Sequence, residues 1–292
     1  MLHCFLAKIF IEVKIMQKAD LHIHSNCSDG SNSPSELPKI LSDANVNIFA
    51  LTDHDTVDGC LELGKTFDKF IRGVELTCLC GSIKCHILGY GVDIYNKDLQ
   101  ALIAKGKLLR RQKLETRIKY LKDVHNIELN QEELDWLYSR KSVVKTHLAN
   151  ILVKRGLADN NIEAMQKYLD ACKTGNTRFD GQEGIDTIKK AGGIAIWAHP
   201  IGGEGERHQS EAEFLPKLAE MRKFGIQGLE CYYSRYNKQE IEFLVKCANF
   251  NGLLISGGSD YHGTNKDIPA GRLNVEEEYI SSDKLTILEK LA

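Results

Sequence analysis

Short apolar runs alternate with amphipathic stretches along most of this chain. Lys18 to Ile23 alternates apolar and polar positions and reads as a strand, running into a Ser/Asn/Asp/Gly loop at 25–33. Ser33-Pro34-Ser35-Glu36 then predicts a helix start, with Ser33 as cap, Pro34 in the first turn and Glu36 three residues after the cap. Asn47 to Leu51 is a short apolar strand that stops at Thr52-Asp53-His54-Asp55, and a helix follows from about Val57. Arg72 to Thr77 and Lys84 to Tyr90 read as further strands. Residues 96–170 carry helical periodicity with almost no strand pattern. Alternation returns after Gly175, with strands at Gly193–Ala198, Gln227–Cys231 and Leu253–Ser256 and helices between them.

Strands alternating with helices predict an α/β fold with a parallel sheet or barrel, and the helical block reads as an insertion. The expected organisation is one discontinuous domain over 17–95 and 176–292, a helical insertion over 96–175, and an N-terminal extension over 1–16. The extension is apolar but broken by Lys8, Glu12 and Lys14. It lacks the order of a signal peptide, and Met16 offers an alternative start.

Composition narrows the function classes. With 42% hydrophobic and 27% charged residues, the 292-residue chain is ordinary globular material. A net charge of -2 gives no global field for nucleic acid or membrane, so an anionic substrate must be attracted locally. No run approaches the roughly 18 apolar residues of a membrane span. Nine irregularly spaced cysteines do not form a disulfide framework and read as reduced thiols of a cytoplasmic protein. Cys78, Cys80 and Cys85 lack a fourth partner for zinc and read as small apolar residues.

The histidines carry the chemistry. His22 and His24 lie two apart on the first strand and so share a face. Asp29 follows in the next loop, His54 sits just after the second strand, Glu75 lies near a strand end, and His86 lies on the next strand. His199 ends the strand Gly193–Ala198, and Asp260 and His262 follow Leu253–Ser256. Any one of these histidines alone would more often be an ordinary hydrogen-bonded residue. Nine metal-type ligands at strand ends is a pattern that scattered histidines do not produce. In α/β barrels the carboxyl ends of the strands build the site.

Ala19-Asp20-Leu21-His22-Ile23-His24-Ser25, Leu51-Thr52-Asp53-His54-Asp55, Gly73-Val74-Glu75, Ala198-His199-Pro200 and Ser259-Asp260-Tyr261-His262 resemble the motifs of the PHP (polymerase and histidinol phosphatase) family. The resemblance spans about residues 18–265. It implies a distorted seven-stranded (β/α) barrel with a metal cluster at the carboxyl ends of its strands. It also implies two or three divalent ions. His22, His24 and Asp260 would hold one, Glu75 would bridge to a second completed by His86 and His199, and Asp29, His54 and His262 would hold a third. Such ligands suit Mn²⁺, Zn²⁺ or Fe²⁺. Asp20, Asp53 and Asp55 read as groups near the site that orient histidine ring N–H groups or cap turns, the capping role being preferred. Three divalent ions against three carboxylates would leave a positive site that a phosphate dianion compensates. The expected nucleophile is a metal-bridging hydroxide, with no protein nucleophile. His208 and a metal-bound water are both candidates for the leaving-group acid.

The helical insertion resembles that of the stand-alone branch containing nucleoside 3′,5′-bisphosphate phosphatases and 5′-to-3′ trimming enzymes of short RNA. Thr146-His147-Leu148-Ala149 and Lys173-Thr174-Gly175 resemble its substrate-contacting segments, which makes His147 and Lys173 expected substrate contacts. Relatives often carry an arginine soon after Ala-His-Pro; here six residues precede Arg207, the corresponding candidate. The eight Lys and Arg of residues 105–122 could attract RNA, but the favoured reading is a solvated helix face. The implied enzyme is a metal-dependent phosphoesterase of a nucleotide-like small molecule or short RNA, with no stable protein partner. Two alternatives stay open: a histidinol-phosphate-type phosphatase, and a metal-binding module without turnover.

Overall fold

The computed structural model describes residues 17–273 and 278–291; the extension over 1–16 lies outside them. The chain runs β1 (Ala19–Asp20), α1 (Leu37–Asp43), β2 (Ile48–Leu51), α2 (Asp58–Leu63), β3 (Ile71–Cys80) and β4 (Ile83–Tyr90). Four helices follow: α3 (Lys97–His125), α4 (Gln131–Tyr138), α5 (Lys145–Lys154) and α6 (Asn161–Tyr168). Then come β5 (Phe179–Asp180), α7 (Gly181–Lys190), β6 (Ile194–Ala198), α8 (Glu211–Phe224), β7 (Gly228–Tyr233), α9 (Lys238–Phe250) and β8 (Leu254–Gly258).

Seven strands pair in the order β1-β2-β3-β4-β6-β7-β8, and β5 adds to β3. The two ends of this path meet. Leu21 N–H donates to Gly257 O at 3.1 Å, and His24 N–H donates to Tyr261 O at 2.9 Å. The sheet therefore closes into a distorted barrel. β6 (IAIWA) is buried throughout, as a strand covered on both faces should be.

One departure from the expected parallel order is β4, antiparallel to both β3 and β6. Only Gly81 and Ser82 separate β3 from β4, too few for a crossover and enough for a hairpin. The predicted α1 start also shifts. Glu36 does accept from Ser33 N and Oγ, each at 2.7 Å, but this closes a turn, and the regular helix begins at Leu37.

The insertion has its own apolar cluster, built on Leu114, Leu121, Leu137, Leu148 and Leu152. The first turns of α3 belong elsewhere: Leu99, Leu102 and Ile103 pack into the barrel core. α3 thus fixes the insertion to the barrel as one continuous strut.

Closure of the barrel depends on Gly258. A Cβ there would fall 2.4 Å from both the Cβ and the backbone N of His22. Gly258→Ala should therefore cost about 3 kcal/mol in urea denaturation and displace His22. Unchanged stability would show that β1 and β8 do not approach this closely.

Candidate metal centre

The barrel brings all nine expected ligands together at one end: most follow the carboxyl ends of parallel strands, while Glu75 sits midway along β3 and His86 in the first half of the antiparallel β4. Glu75 is the hub. Its Oε2 lies 3.2 Å from His22 Nε2, 3.2 Å from His24 Nε2 and 3.0 Å from His54 Nδ1. Its Oε1 lies 2.9 Å from His86 Nδ1 and 3.2 Å from His199 Nε2. Asp260 Oδ1 sits 3.5 Å from His22 Nε2 and 3.3 Å from His24 Nε2. Asp29 Oδ1 lies 3.1 Å from His262 Nε2.

Three groups have ligating atoms close enough to share an ion: His22 with His24 and Asp260; His54 with Glu75 and His86; and His24 with Asp29, His54 and His262. Three details differ from the expected sets. His24 also joins the Asp29–His54–His262 group, His54 also joins the Glu75–His86 group, and His199 belongs to none of the three groups although its Nε2 lies 3.2 Å from Glu75 Oε1.

The donor atoms fit cations. His22 Nε2, His24 Nε2, His54 Nδ1, Asp29 Oδ1 and Glu75 Oε2 are buried without a hydrogen-bond partner. Orphaned buried polar atoms are costly, and these five, spread over the three overlapping groups, need partners that cations would supply.

Electrostatics agree. Burial opposes ionisation of Glu75, but His54, His22 and His86 outweigh it and hold the carboxyl well below its usual range. Burial opposes charge on Asp260 too, and Lys266, His22 and His262 overcome it. Burial disfavours protonated His24, yet its carboxylate neighbours raise it to about 9. Without cations, protons on His22 and His24 thus serve as counter-charge, and ion binding there must release them.

Surrounding groups aim the ligands. His22 Nδ1–H donates to Glu230 Oε1 at 2.8 Å, which leaves Nε2 free toward the cluster. The other oxygen of Glu230 accepts from His199 N at 2.7 Å. Asp260 presents Oδ1 inward, while its Oδ2 accepts from Lys266 Nζ at 2.6 Å and Tyr233 Oη at 3.0 Å. His199 and Asp260 have positive φ, 30° and 57°, a conformation side chains resist and these contacts hold. Asp20, Asp53 and Asp55 do pin turns. Asp20 accepts from Ser259 and Gly271, Asp53 from Ser25 and Ser28, and Asp55 from Thr77 N.

The cluster opens into a cleft of about 670 Å³. Its far wall comes from the insertion: Thr146, Asn150, Val153, Asn161, Ile162 and Met165.

A search against known families matches residues 20–226 to the PHP domain. The chain belongs to the PHP family. It is an enzyme, a metal-dependent phosphoric ester hydrolase. This PHP protein is 30% identical over 281 residues to a 5′-3′ exoribonuclease of Haemophilus influenzae, covering 90% of this chain and 99% of that one. It is 27% identical over 257 residues to a 3′,5′-nucleoside bisphosphate phosphatase of Chromobacterium violaceum, covering 85% and 88%. A solved Chromobacterium violaceum amidohydrolase with bound sulfate shares the fold, with TM-score 0.80, 24% identity and coverage of 94% and 95%.

Other expected site residues of this PHP protein fall in different places. His147 is buried at the start of α5, where its Nδ1 accepts from Val144 N at 3.1 Å, and its ring meets Trp136 edge-on. Lys173 is exposed, and Arg207 is exposed and paired with Glu213. His208 bonds Glu240 Oε1 through Nδ1 at 2.7 Å. None of these four lines the cleft. Glu230 and Lys266 were not anticipated. The signal for Glu230 is an acid inside the otherwise uncharged strand β7. Among the described residues, no helix is long and apolar enough to cross a membrane.

Burial lowers the His147 imidazole to about 4. The unfolded chain takes up this proton below about pH 6.5, and the folded chain does not until near 4. Its stabilising contribution is thus complete above pH 6.5 and lost as pH falls toward 4. Relative to His147→Gln, the native protein should lose about 2 kcal/mol of stability between pH 7 and pH 5. Parallel urea-denaturation curves at the two pH values would refute this.

Proposed function

We propose that the nine clustered residues hold two or three divalent ions and that the enzyme hydrolyses nucleoside 3′,5′-bisphosphates or trims short 5′-phosphorylated RNA. The observation that carries the ion-binding half is the set of five orphaned ligating atoms within the cluster, on His22, His24, Asp29, His54 and Glu75. When bound, such ions supply charge compensation for phosphoryl oxygens and acidify water. No serine, cysteine or threonine nucleophile is assigned a role.

The nucleotide half rests on the relatives' activities and on the insertion wall. Asn150 and Asn161 offer amides beside Ile162 and Met165, a surface fit for a base with apolar faces and polar edges. Residues 96–175 would then be the substrate-binding insertion. One reaction serves both substrates. Water attacks phosphorus, the P–O3′ bond breaks, and the 3′-oxygen leaves with a proton. Inorganic phosphate results from a bisphosphate, and a 5′-phosphorylated remainder results from RNA. The eight described cysteines are free thiols, which supports the cytoplasm as its compartment.

The test offers purified protein with Mn²⁺ three substrates: adenosine 3′,5′-bisphosphate, a 5′-phosphorylated RNA hexamer and histidinol phosphate. The expected products are AMP with phosphate from the first and 5′-mononucleotides from the second. Turnover of histidinol phosphate alone would replace the nucleotide reading, and silence on all three with metal bound would indicate a module without turnover.

A further inference from the structure

A second cleft, of about 580 Å³, lies beside the first. The two share His86, His199 and Glu206 in their walls, so they meet at the metal centre. Its character differs from that of the insertion-side cleft. It is lined by Lys84, Arg178 and Lys217, opposed by Glu206 and Glu220. Both acids are engaged elsewhere: Glu206 accepts from Gly203 N at 3.1 Å, and Glu220 lies 3.2 Å from Lys223.

Arg178 is the key group. β5 pairs beside β3 in register Cys78↔Phe179, which carries Arg178 toward Thr77 and the underside of α3. There Arg110 already bonds Thr77 Oγ1 and Asp55. Arg178 Nη1 and Arg117 Nε are buried without any hydrogen-bond partner. Lys113 is pushed down to about 7 by burial and by the charges of Arg110 and Arg178. Arg110, Lys113 and Arg117 fall at helical spacing on one face of α3, so part of the basic run turns inward rather than to solvent. Asp55 is taken by Arg110, and Arg178 forms no ion pair of its own among the described residues, so its buried Nη1 is left to bind an anion.

Resting on the proposed nucleotide chemistry, we propose that this second cleft holds the 3′ remainder of an RNA strand, with Arg178 on one of its phosphates. A terminal 3′-phosphate has a nucleoside on one side of phosphorus only and fills one cleft. An internucleotide phosphate has a nucleoside on each side and needs both. Two clefts meeting at the ligand cluster therefore fit a phosphodiester, with the released 5′ nucleotide against the insertion and the remaining strand beside Arg178. The same P–O3′ bond breaks, and the second cleft contributes binding alone.

The test compares wild type, Arg178→Ala and Arg178→Lys as metal-loaded enzymes. Binding of a 3′-labelled, 5′-phosphorylated deoxyhexamer is followed by anisotropy at several salt concentrations, alongside turnover of the RNA hexamer and of adenosine 3′,5′-bisphosphate. Arg178→Ala should weaken hexamer binding about tenfold and lower the slope of log affinity against log salt by about 0.7, one phosphate contact on a single strand. Arg178→Lys should restore most of the slope. The ratio of hexamer to bisphosphate kcat/KM should fall about tenfold, with metal content unchanged. Equal losses on both substrates, or unaltered binding and slope, would overturn the proposal. A wild type inactive on both substrates would sink the nucleotide reading, while the binding slope would still decide the role of Arg178.

Discussion

His22→Ala is expected to abolish turnover, a loss on the order of a thousandfold or more, together with loss of bound metal. His22 is fully buried, and its Nε2 has no partner other than the Glu75–Asp260 cluster. Alanine would remove one ligand and leave the carboxylates of Glu75 and Asp260 facing each other with less positive charge between them. Both are held ionised in part by His22 itself. The effect should appear first in metal content by elemental analysis and then in phosphate release. Full turnover by a correctly folded His22→Ala protein would show that the cluster is not where the chemistry occurs.

Glu230→Ala should lower metal affinity about 10–100-fold although Glu230 belongs to none of the ligand groups. Its two oxygens hold His22 Nδ1 and the backbone N–H of His199. Removing them frees the His22 ring to rotate and strips a buried N–H of its acceptor at a position with φ of 30°. Glu230→Gln keeps an acceptor oxygen for one of the two donors and should lose much less. Chelator competition on the three proteins gives the comparison. Equal affinity for wild type and Glu230→Ala would reduce Glu230 to a packing role.

The ligands were legible in sequence because their placement follows from strand geometry. His22 and His24 share a face by a spacing of two, and His199, Asp260 and His262 follow apolar runs whose ends face the same way in a barrel. The antiparallel β4 was written in Gly81-Ser82, a hairpin-length gap, but the surrounding alternation pointed to parallel strands. Glu230 lacked a motif of its own; only closure of β7 beside β6 sets it behind His22 and His199. The basic run looked like a solvated face because periodicity cannot say what packs on a helix. The turn of chain at 176–180 brings Arg178 against α3, and that is a tertiary fact. The same limit applies to the substrate contacts. His147 caps α5 at Val144 N and Arg207 pairs with Glu213, and the spacing of neither tells whether it faces the cleft.

The central claim is that these imidazoles and carboxylates hold cations. Anomalous diffraction from crystals of protein purified without chelator addresses it directly. The account predicts two or three transition-metal peaks within the pocket bounded by Glu75, Asp29 and Asp260. Active protein whose crystals show no anomalous density there, or show it only at other residues, would contradict it.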